Sequence, residues 1–336
     1  MKTEAKIYIN GIDYSGRIGA VMKSLKYTEM LEGESDTCEI VMADNTHELL
    51  KSWRPAKGSE VKIEIVSEGA VYECGIFELD TLEYRSPPSE YILKMNSIAK
   101  GAQVKGVTKN RSWEQVNLSE IAGDIASGAG LSLEYETNAD PEIKRAEQSG
   151  ESDLSFLKRL CGDNGLNVRV HNKKVIVFEA LKYEEKDIVG VISYGAINIL
   201  KFNSRTTIDG IYKDAEVKYQ SNNITEWLFN FFGGNDYFQS GSGLNLGGDN
   251  VLQINERVDS EGEAERLAKS RLREENKKEY TFNLTVAGNL SYKAGVTLEL
   301  EEFGIYSGKY IVDRAEHSIS NGYTTTLQMH KCLEGY

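Results

Sequence analysis

The sequence predicts a mainly β protein with an α/β insert, in which two similar small β-barrel domains flank a small α/β domain. Apolar and polar residues alternate with period two at both ends of the chain, which is typical of half-buried antiparallel strands. Four blocks of sequence recur at both ends in the same order, whereas the middle has helical spacing. A chain of 336 residues also exceeds one ordinary hydrophobic core, so two or three domains are expected.

Residues 1–98 are predicted to form the first tube-like β-barrel domain. Val61, Ile63 and Ile65 place one apolar face on a strand whose other positions are mostly charged. Cys38 lies in a similar alternation and is expected to be a reduced core residue. Closing such short strands into a barrel would remove their exposed edges.

Residues 99–182 are predicted to form the α/β domain, with two helices and a hairpin. Asn117 with Glu120 three positions later resembles a capping box at the start of the first helix. The second helix is expected to begin near Ser152, and the hairpin to turn near Asn172.

Residues 183–336 are predicted to form the second tube-like β-barrel domain. Helical spacing predicts a helix over 260–277, and clear alternation follows over Tyr280–Val286. Residues 221–255 are irregular, aromatic and rich in glycine, so we expect a long loop or an insertion in the sheet there.

An internal repeat relates the two ends of the chain. Cys38–Asn45 matches Phe282–Asn289 without a gap, and two further pairs of blocks follow in order: 58–65 with 295–300, and 75–80 with 308–313. The last pair is Tyr91–Met95 with Tyr323–Met329. We interpret this repeat as a duplication. Three such chains would present six similar units, so a three-fold assembly could match a six-fold partner.

Two stretches resemble a known family, the phage late-control D proteins. Glu147–Leu160, followed by Gly165–Val168 and Lys174–Phe178, has the pattern of that family's central segment, a polar Gln-x-x-Glu-Ser-Asp entry before a helix and a hairpin. Gly308–Leu327 is similar to its last hairpin. The family includes the baseplate hub of contractile phages and the hub half of type VI secretion spike proteins.

The resemblance implies a structural baseplate hub of a contractile phage tail or tail-like particle, a homotrimer whose pseudo-hexameric ring joins the tail tube to the central spike. The implied partners are the tail tube protein, the tape-measure protein, baseplate wedge proteins and a separate spike protein, because the chain ends directly after the last hairpin. The implied location is the baseplate of a virion or tail-like particle assembled in the bacterial cytoplasm. An infectious phage, a bacteriocin-like tail and a secretion device remain open.

Charge and hydropathy exclude several other classes of protein. A net charge of −13 argues against specific nucleic-acid binding, because phosphate neutralisation requires clustered Lys and Arg. An acidic channel that DNA passes without binding remains compatible with that charge. No apolar run approaches the roughly 20 residues that span a bilayer, and the N-terminus lacks the apolar core of a signal peptide.

No arrangement of residues in the sequence indicates catalysis, a metal or a cofactor. Cys161 and His171 are ten positions apart, but no carboxylate that would orient the histidine is evident, and His317 is interpreted as an exposed or half-buried strand residue. We therefore predict a protein that is not an enzyme and needs no cofactor or metal. The alternative is a cell-wall-binding or wall-degrading tail-tip protein, in which the α/β domain binds carbohydrate and some of the 52 acidic residues act on it.

One candidate protein interface stands out, a cluster of aromatic residues inside 221–255. Such residues either pack on their own domain or contact another protein, since aromatic residues are enriched at interface cores. We favour contact with a neighbouring subunit, because the first domain has no counterpart of this segment. The candidate interface residues are Trp227, Phe229, Phe231, Phe232, Tyr237 and Phe238.

Overall fold

The protein is mostly β, with helices concentrated in the middle of the chain and in one long segment near the end. A computed structural model describes residues 3–33, 35–51, 53, 55–97, 107–220, 226–232, 250–255, 258 and 261–333, of which 218–220, 226–232 and 261 are described by their backbone. The mainly β class predicted from the alternation is therefore confirmed.

The first β unit is an antiparallel sheet with short helices at its edge. Its strands follow the order β3-β4-β7-β6-β5-β1-β2. Val61, Ile63 and Ile65 are fully buried, as the alternation predicted. The elements are β1 (Thr3–Ile9), β2 (Ile12–Asp13), α1 (Ser15–Gly19), β3 (Met22–Met30), β4 (Thr37–Ala43), α2 (Glu48–Lys51), β5 (Glu60–Ser67), β6 (Ala70–Arg85) and β7 (Glu90–Asn96).

The α/β module follows, with two helices packed on two small sheets. Its elements are β8 (Thr108–Asn117), α3 (Leu118–Gly128), β9 (Ser132–Glu136), β10 (Glu142–Ser152), α4 (Asp153–Asp163), β11 (Asn167–His171) and β12 (Lys174–Phe178). Strands β8 and β10 pair with each other, and β12 lies between β11 and β9.

The two helix starts predicted in this module differ in how they are capped. At α4 the Ser152 hydroxyl accepts a hydrogen bond from the Ser155 amide, as expected for an N-cap. At α3 the Asn117 side chain makes no capping bond, so the predicted capping box is wrong. The Ser119 amide instead donates to the Asp140 carboxylate at 2.9 Å, a partner 21 positions away that spacing within the helix could not indicate.

The second β unit has the strand order β14-β18-β21-β20-β19-β13. Its elements are α5 (Ala180–Glu184), β13 (Ile188–Ser193), β14 (Ile199–Thr206), β15 (Asp214–Gln220), β16 (Glu226–Phe232), β17 (Val251–Ile254), α6 (Glu261–Asn276), β18 (Tyr280–Ala287), β19 (Thr297–Glu301), a 3₁₀ turn (Gly304–Tyr306), β20 (Gly308–Ile319) and β21 (Tyr323–Lys331). Helix α6 agrees with the helix predicted over 260–277.

Of the two alternatives predicted for 221–255, a long loop or an insertion in the sheet, the described residues favour an insertion. Strands β16 and β17 both fall within it and pair with β15, which makes a separate three-stranded sheet. The dense aromatic residues that suggested a binding loop also have high β propensity, and that preference is expressed once β15 offers a pairing edge.

The duplication is visible in the pairing of the strands. Strands β3-β4-β7-β6-β5-β1 correspond in order to β14-β18-β21-β20-β19-β13. Cys38 pairs with Met95 as Phe282 pairs with Met329, so the matched blocks have the same register. Each long strand shifts register at the equivalent place, after Leu79 in β6 and after Val312 in β20. The copies differ at their ends, because β1 is antiparallel to β5 whereas β13 is parallel to β19.

The two units are joined edge to edge. Strand β20 pairs with β3, which makes one 13-stranded sheet, and no pairing among the described strands closes either unit on itself. Period-two alternation reports which face of a strand is buried, but not which edges meet. The arrangement as two β-barrels therefore stays a prediction, while the seam between the two units is observed.

Candidate assembly surfaces

The seam between the β units is an aromatic core. Tyr27 on β3 lies opposite His317 on β20, with the rings stacked 6.1 Å apart, and Tyr72 meets His317 edge-on at 5.1 Å. The Tyr323 hydroxyl lies 2.7 Å from His317 Nδ1. Burial lowers the pKa of His317 to about 4, so the imidazole is neutral near pH 7. The expectation that His317 is exposed or half-buried is wrong, because β3 covers it.

Glu29, also on β3, connects both β units and the α/β module. Its Oε2 accepts hydrogen bonds from the Tyr72 hydroxyl at 2.7 Å and from the Ala294 amide at 3.2 Å, while Arg169 Nη1 lies 3.7 Å from Oε1. Burial raises the pKa of Glu29, and the nearby Asp36 charge raises it further. A buried glutamate with partners from three parts of the chain holds the relative placement of those parts.

The α/β module docks on the first unit through a second polar contact. His171 Nδ1 lies 2.5 Å from Asp36 Oδ2, and the Ser97 hydroxyl donates to the Val170 carbonyl at 3.1 Å. The expectation that no carboxylate orients His171 is wrong, since Asp36 lies 135 positions away in sequence. Cys161 is buried on α4, and burial raises its thiol pKa to about 12, so the thiol stays protonated near neutral pH.

The Gln-x-x-Glu-Ser-Asp pattern forms a buried polar network at the start of α4. The Asp153 side chain is fully buried, and it accepts hydrogen bonds from Lys109 at 2.6 Å, from Gln148 at 2.9 Å and from Arg111. Gln148 also donates to the Glu151 carbonyl at 3.0 Å. These residues fix α4 against β8 and β10, so in this chain the motif serves the fold.

A further network fixes α5 and α6 to the last hairpin. His330 Nδ1 lies 2.7 Å from Asp313 Oδ1, and its Nε2 lies 3.2 Å from Glu184 Oε1. Glu184 also accepts hydrogen bonds from Arg273 and from the Leu333 amide. Burial alone would lower the pKa of His330, but the two carboxylates outweigh burial and raise it to about 9.

A cleft of about 700 Å³ lies between α4 and α6, and seven of its 22 lining residues are Lys or Arg. Several of these charges have carboxylate partners within the chain. Arg271 donates to Asp163 at 2.8 Å, which joins α6 to α4, and Lys277 donates to Glu32 at 2.9 Å. The ion pairs make this cleft a junction between helices.

The second unit has several exposed large apolar side chains on or near β13 and β14, which we name together the β13–β14 apolar surface. Its members are Ile188, Val189, Val191, Tyr194, Ile197, Leu200, Phe202 and Ile208. The equivalent strand of the first unit, β3, is instead covered by β20, and its Leu25 and Tyr27 are fully buried. Large exposed apolar patches mark interaction sites. Sequence reasoning missed this surface because apolar alternation predicts the same strand whether or not a partner covers it.

The aromatic interface residues predicted from sequence fall in two places. The backbones of Trp227, Phe229, Phe231 and Phe232 lie in β16, which pairs with β15. Tyr237 and Phe238 lie outside the described residues. The structure therefore places four of these positions together on one strand, and their role as an interface stays a prediction.

Two kinds of site are absent from the described residues. No group of three or more His, Cys, Asp or Glu side chains that could hold a metal ion occurs among them. None of the helices in that part of the chain is both long enough and apolar enough to cross a membrane.

Two solved structures with a similar fold are tail proteins, and a third is a type VI secretion component. The 43 kDa tail protein of prophage MuSo2 from Shewanella oneidensis is 15% identical, covers 98% of this chain and 99% of its own, and has a TM-score of 0.76. A tail protein from Neisseria meningitidis MC58 is 12% identical, with 98% and 97% covered and a TM-score of 0.72. The Escherichia coli c3393 protein, a type VI secretion component, is 10% identical, with 100% and 78% covered and a TM-score of 0.61. The fold is thus that of tail proteins.

Sequence comparison identifies the family within that class. The family model for the phage tail baseplate hub (GPD) matches residues 91–323, and the chain belongs to this family. The probable baseplate hub protein of Escherichia phage P2 is 27% identical over 179 residues, which cover 52% of this chain and 44% of that protein. The corresponding protein of Escherichia phage 186 is 25% identical over 177 residues, with 51% and 44% covered. The match thus spans less than half the length of these relatives, and the resemblance to the late-control D hub family is confirmed.

Proposed function

We propose that this chain is the structural hub of a baseplate, a homotrimer whose pseudo-hexameric ring joins the tail tube of a contractile tail or tail-like particle to its central spike. The observation that carries the proposal is that each chain contains two β units with the same strand order. These units are joined edge to edge by β3 and β20. Three copies then present six similar units, so a trimer with three-fold symmetry can bind a partner with six-fold symmetry.

Spike, tube, tape-measure and baseplate wedge proteins are the proposed partners. Solved PdpA–VgrG complexes from Francisella have a related fold, with a TM-score of 0.55 at 9% identity for one of them, which supports a partner of the VgrG type. The proposed location is the baseplate of a virion or tail-like particle, assembled in the bacterial cytoplasm.

The proposed role is structural and not enzymatic. The polar groups that sequence reasoning considered for catalysis have structural partners: His171 contacts Asp36, and Cys161 is a buried, protonated thiol. A wall-degrading tail-tip protein would clear suspensions of purified cell wall. Clearing by the purified chain, abolished by a single carboxylate substitution, would contradict the structural role.

We also propose that β16 contributes to the contact between subunits. Replacing Phe231 and Phe232 by Ser is expected to weaken assembly while circular dichroism stays unchanged, because apolar area removed from water stabilises a contact by about 25 cal/mol per Å². As a control, unfolding of the same double variant is measured at low protein concentration. Single chains predominate there, so the measurement reports folding and not assembly. Unchanged assembly and unchanged melting would refute a role of these residues.

The trimer itself is tested by light scattering on the assembled protein. We expect a mass of three 37.5 kDa chains. A stable hexamer would contradict the proposal, because twelve β units do not match a six-fold ring.

A further inference from the structure

The seam inside each chain is the pairing of β20 with β3. The equivalent edge of the first unit, on β6, has no such partner among the described strands. In the second unit, β20 has β21 along one edge, and along its other edge β19 followed by β3. In the first unit, β6 has β7 along one edge and β5 along the other, but the pairing with β5 extends only to Glu78. Among the described strands, none pairs with that edge of β6 over Thr81–Arg85.

The counterpart of β3 in the second unit, β14, also has one edge without a partner among the described strands. Strand β14 is the counterpart of β3, and its register shift after Ile199 matches that of β3 after Met22. Strand β3 pairs with β4 and β20, whereas β14 pairs only with β18 among the described strands. Phe202, the counterpart of the fully buried Leu25, is 39% exposed. An unpaired apolar edge is a template for another strand.

We propose that Thr81–Arg85 of β6 in one copy pairs antiparallel with β14 in a second copy, which repeats between copies the pairing of β20 with β3 within a copy. This inference rests on the proposed hub function and names its subunit contact. The occupant of the free edge is a second copy because the chain already contains the complementary strand, and the β3–β20 seam gives the geometry of the contact.

The duplication fixes the register of this contact. His317 pairs with Tyr27 within the chain, and their counterparts are Tyr84 and Ser204. Tyr84 therefore lies opposite Ser204 of the next copy, and Leu82 lies opposite Thr206. Tyr84 and Leu82 are partly buried and pack against the core of the first unit. Strand β14 of the next copy would cover them.

The charges agree with this register. Glu316 pairs with Thr28 within the chain, so by the same correspondence Glu83 lies opposite Arg205 of the next copy. Glu83 also forms ion pairs with Arg85 and Lys94 of its own copy, and Arg205 adds a third cation to this group. Opposite charges on directly paired residues stabilise antiparallel strands. A one-residue slip would place Glu83 opposite a neutral side chain and would set the core-facing side chains of one copy next to the solvent-facing side chains of the other.

The contact is heterologous, because β6 of one copy meets β14 of the next and leaves a free β6 at one end and a free β14 at the other. Head-to-tail contacts of this kind close into rings when the rotation per copy permits it. Each copy then contributes one seam within the chain and one seam to the next chain. First and second β units therefore alternate around the ring.

Disulfide trapping on the purified full-length chain tests the contact. Two double variants, Tyr84→Cys with Ser204→Cys and Glu83→Cys with Arg205→Cys, cover adjacent positions, of which one is the closer non-hydrogen-bonded pair that suits a cross-strand disulfide. We expect oxidation to give covalent dimers and closed trimers with at least one double variant, and none with either single cysteine variant. The unsubstituted chain controls for its own Cys332, which is only half-buried.

Register is the decisive control. Tyr84→Cys with Phe202→Cys moves one partner two residues, about 7 Å along the strand, and should not cross-link.

Charge reversal gives a second readout: Arg205→Glu should weaken self-association at least about tenfold, and adding Glu83→Arg should restore it to within a few-fold. A trimer by sedimentation that cross-links at neither predicted pair would overturn this contact and leave the hub function standing. A chain that neither trimerises nor cross-links at its highest soluble concentration would overturn the contact, and particles that assemble without this chain would overturn the function.

Discussion

The charge on His330 predicts how the stability of the second unit depends on pH. Both ring nitrogens face carboxylate oxygens, Nδ1 toward Asp313 at 2.7 Å and Nε2 toward Glu184 at 3.2 Å. A carboxylate only accepts hydrogen bonds, so the imidazole must carry both protons to satisfy both partners. A folded pKa of about 9 against a usual value of 6.5 corresponds to about 3 kcal/mol of stability. Because the folded pKa is raised, that stability is fully present below pH 6.5 and is lost as the pH rises through 9.

The substitution His330→Gln isolates this contribution. It keeps a polar side chain but removes the cation that Asp313 and Glu184 share. Because Glu184 keeps its ion pair with Arg273 and Asp313 is partly exposed, we expect a loss of about 3 kcal/mol near pH 6. Urea unfolding of both proteins between about pH 6 and pH 10 measures the difference in free energy of unfolding. That difference should shrink by about 3 kcal/mol as the imidazolium in the original chain loses its proton. A difference that stays constant over this range would refute the assignment of a charged His330.

Two other predictions concern packing and buried charge. Asp153→Asn should destabilise the protein by about 3 to 5 kcal/mol in urea unfolding, because it leaves Lys109 and Arg111 without their buried anion, whereas Glu114→Gln should change the free energy by at most about 1 kcal/mol because its ion pair is exposed. An equal effect of the two would contradict the importance of burial. Gly288→Ala would place a Cβ 1.9 Å from the Tyr323 ring and should lower the melting temperature by an amount equivalent to about 1 to 3 kcal/mol, and an unchanged melting curve would show that the ring moves freely.

The sequence was sufficient for the alternation of the long strands and for the duplication. Val61, Ile63 and Ile65 are buried as their alternation predicted, and the matched blocks share one register in the sheet. These features depend on residues close together in the chain or on similarity between two segments. Such information is present in a single sequence.

The contacts between distant segments could not be read from the sequence. His171 with Asp36 and His317 with Tyr27 join residues more than a hundred positions apart, and neither pair belongs to a local pattern. The exposed state of Phe202 was hidden for the same reason, because a strand residue has the same spacing whether a partner strand covers it or not. The seam of the two units is therefore a property of the folded chain alone.

The central claim is that three copies of this chain form a six-unit ring between tail tube and spike. Electron cryo-microscopy of purified particles that contain the chain tests it most directly. We expect three copies on the particle axis, directly between tube and spike, with seams within and between chains alternating around the ring. Six copies around the axis, or density for the chain at the periphery of the baseplate, would contradict it.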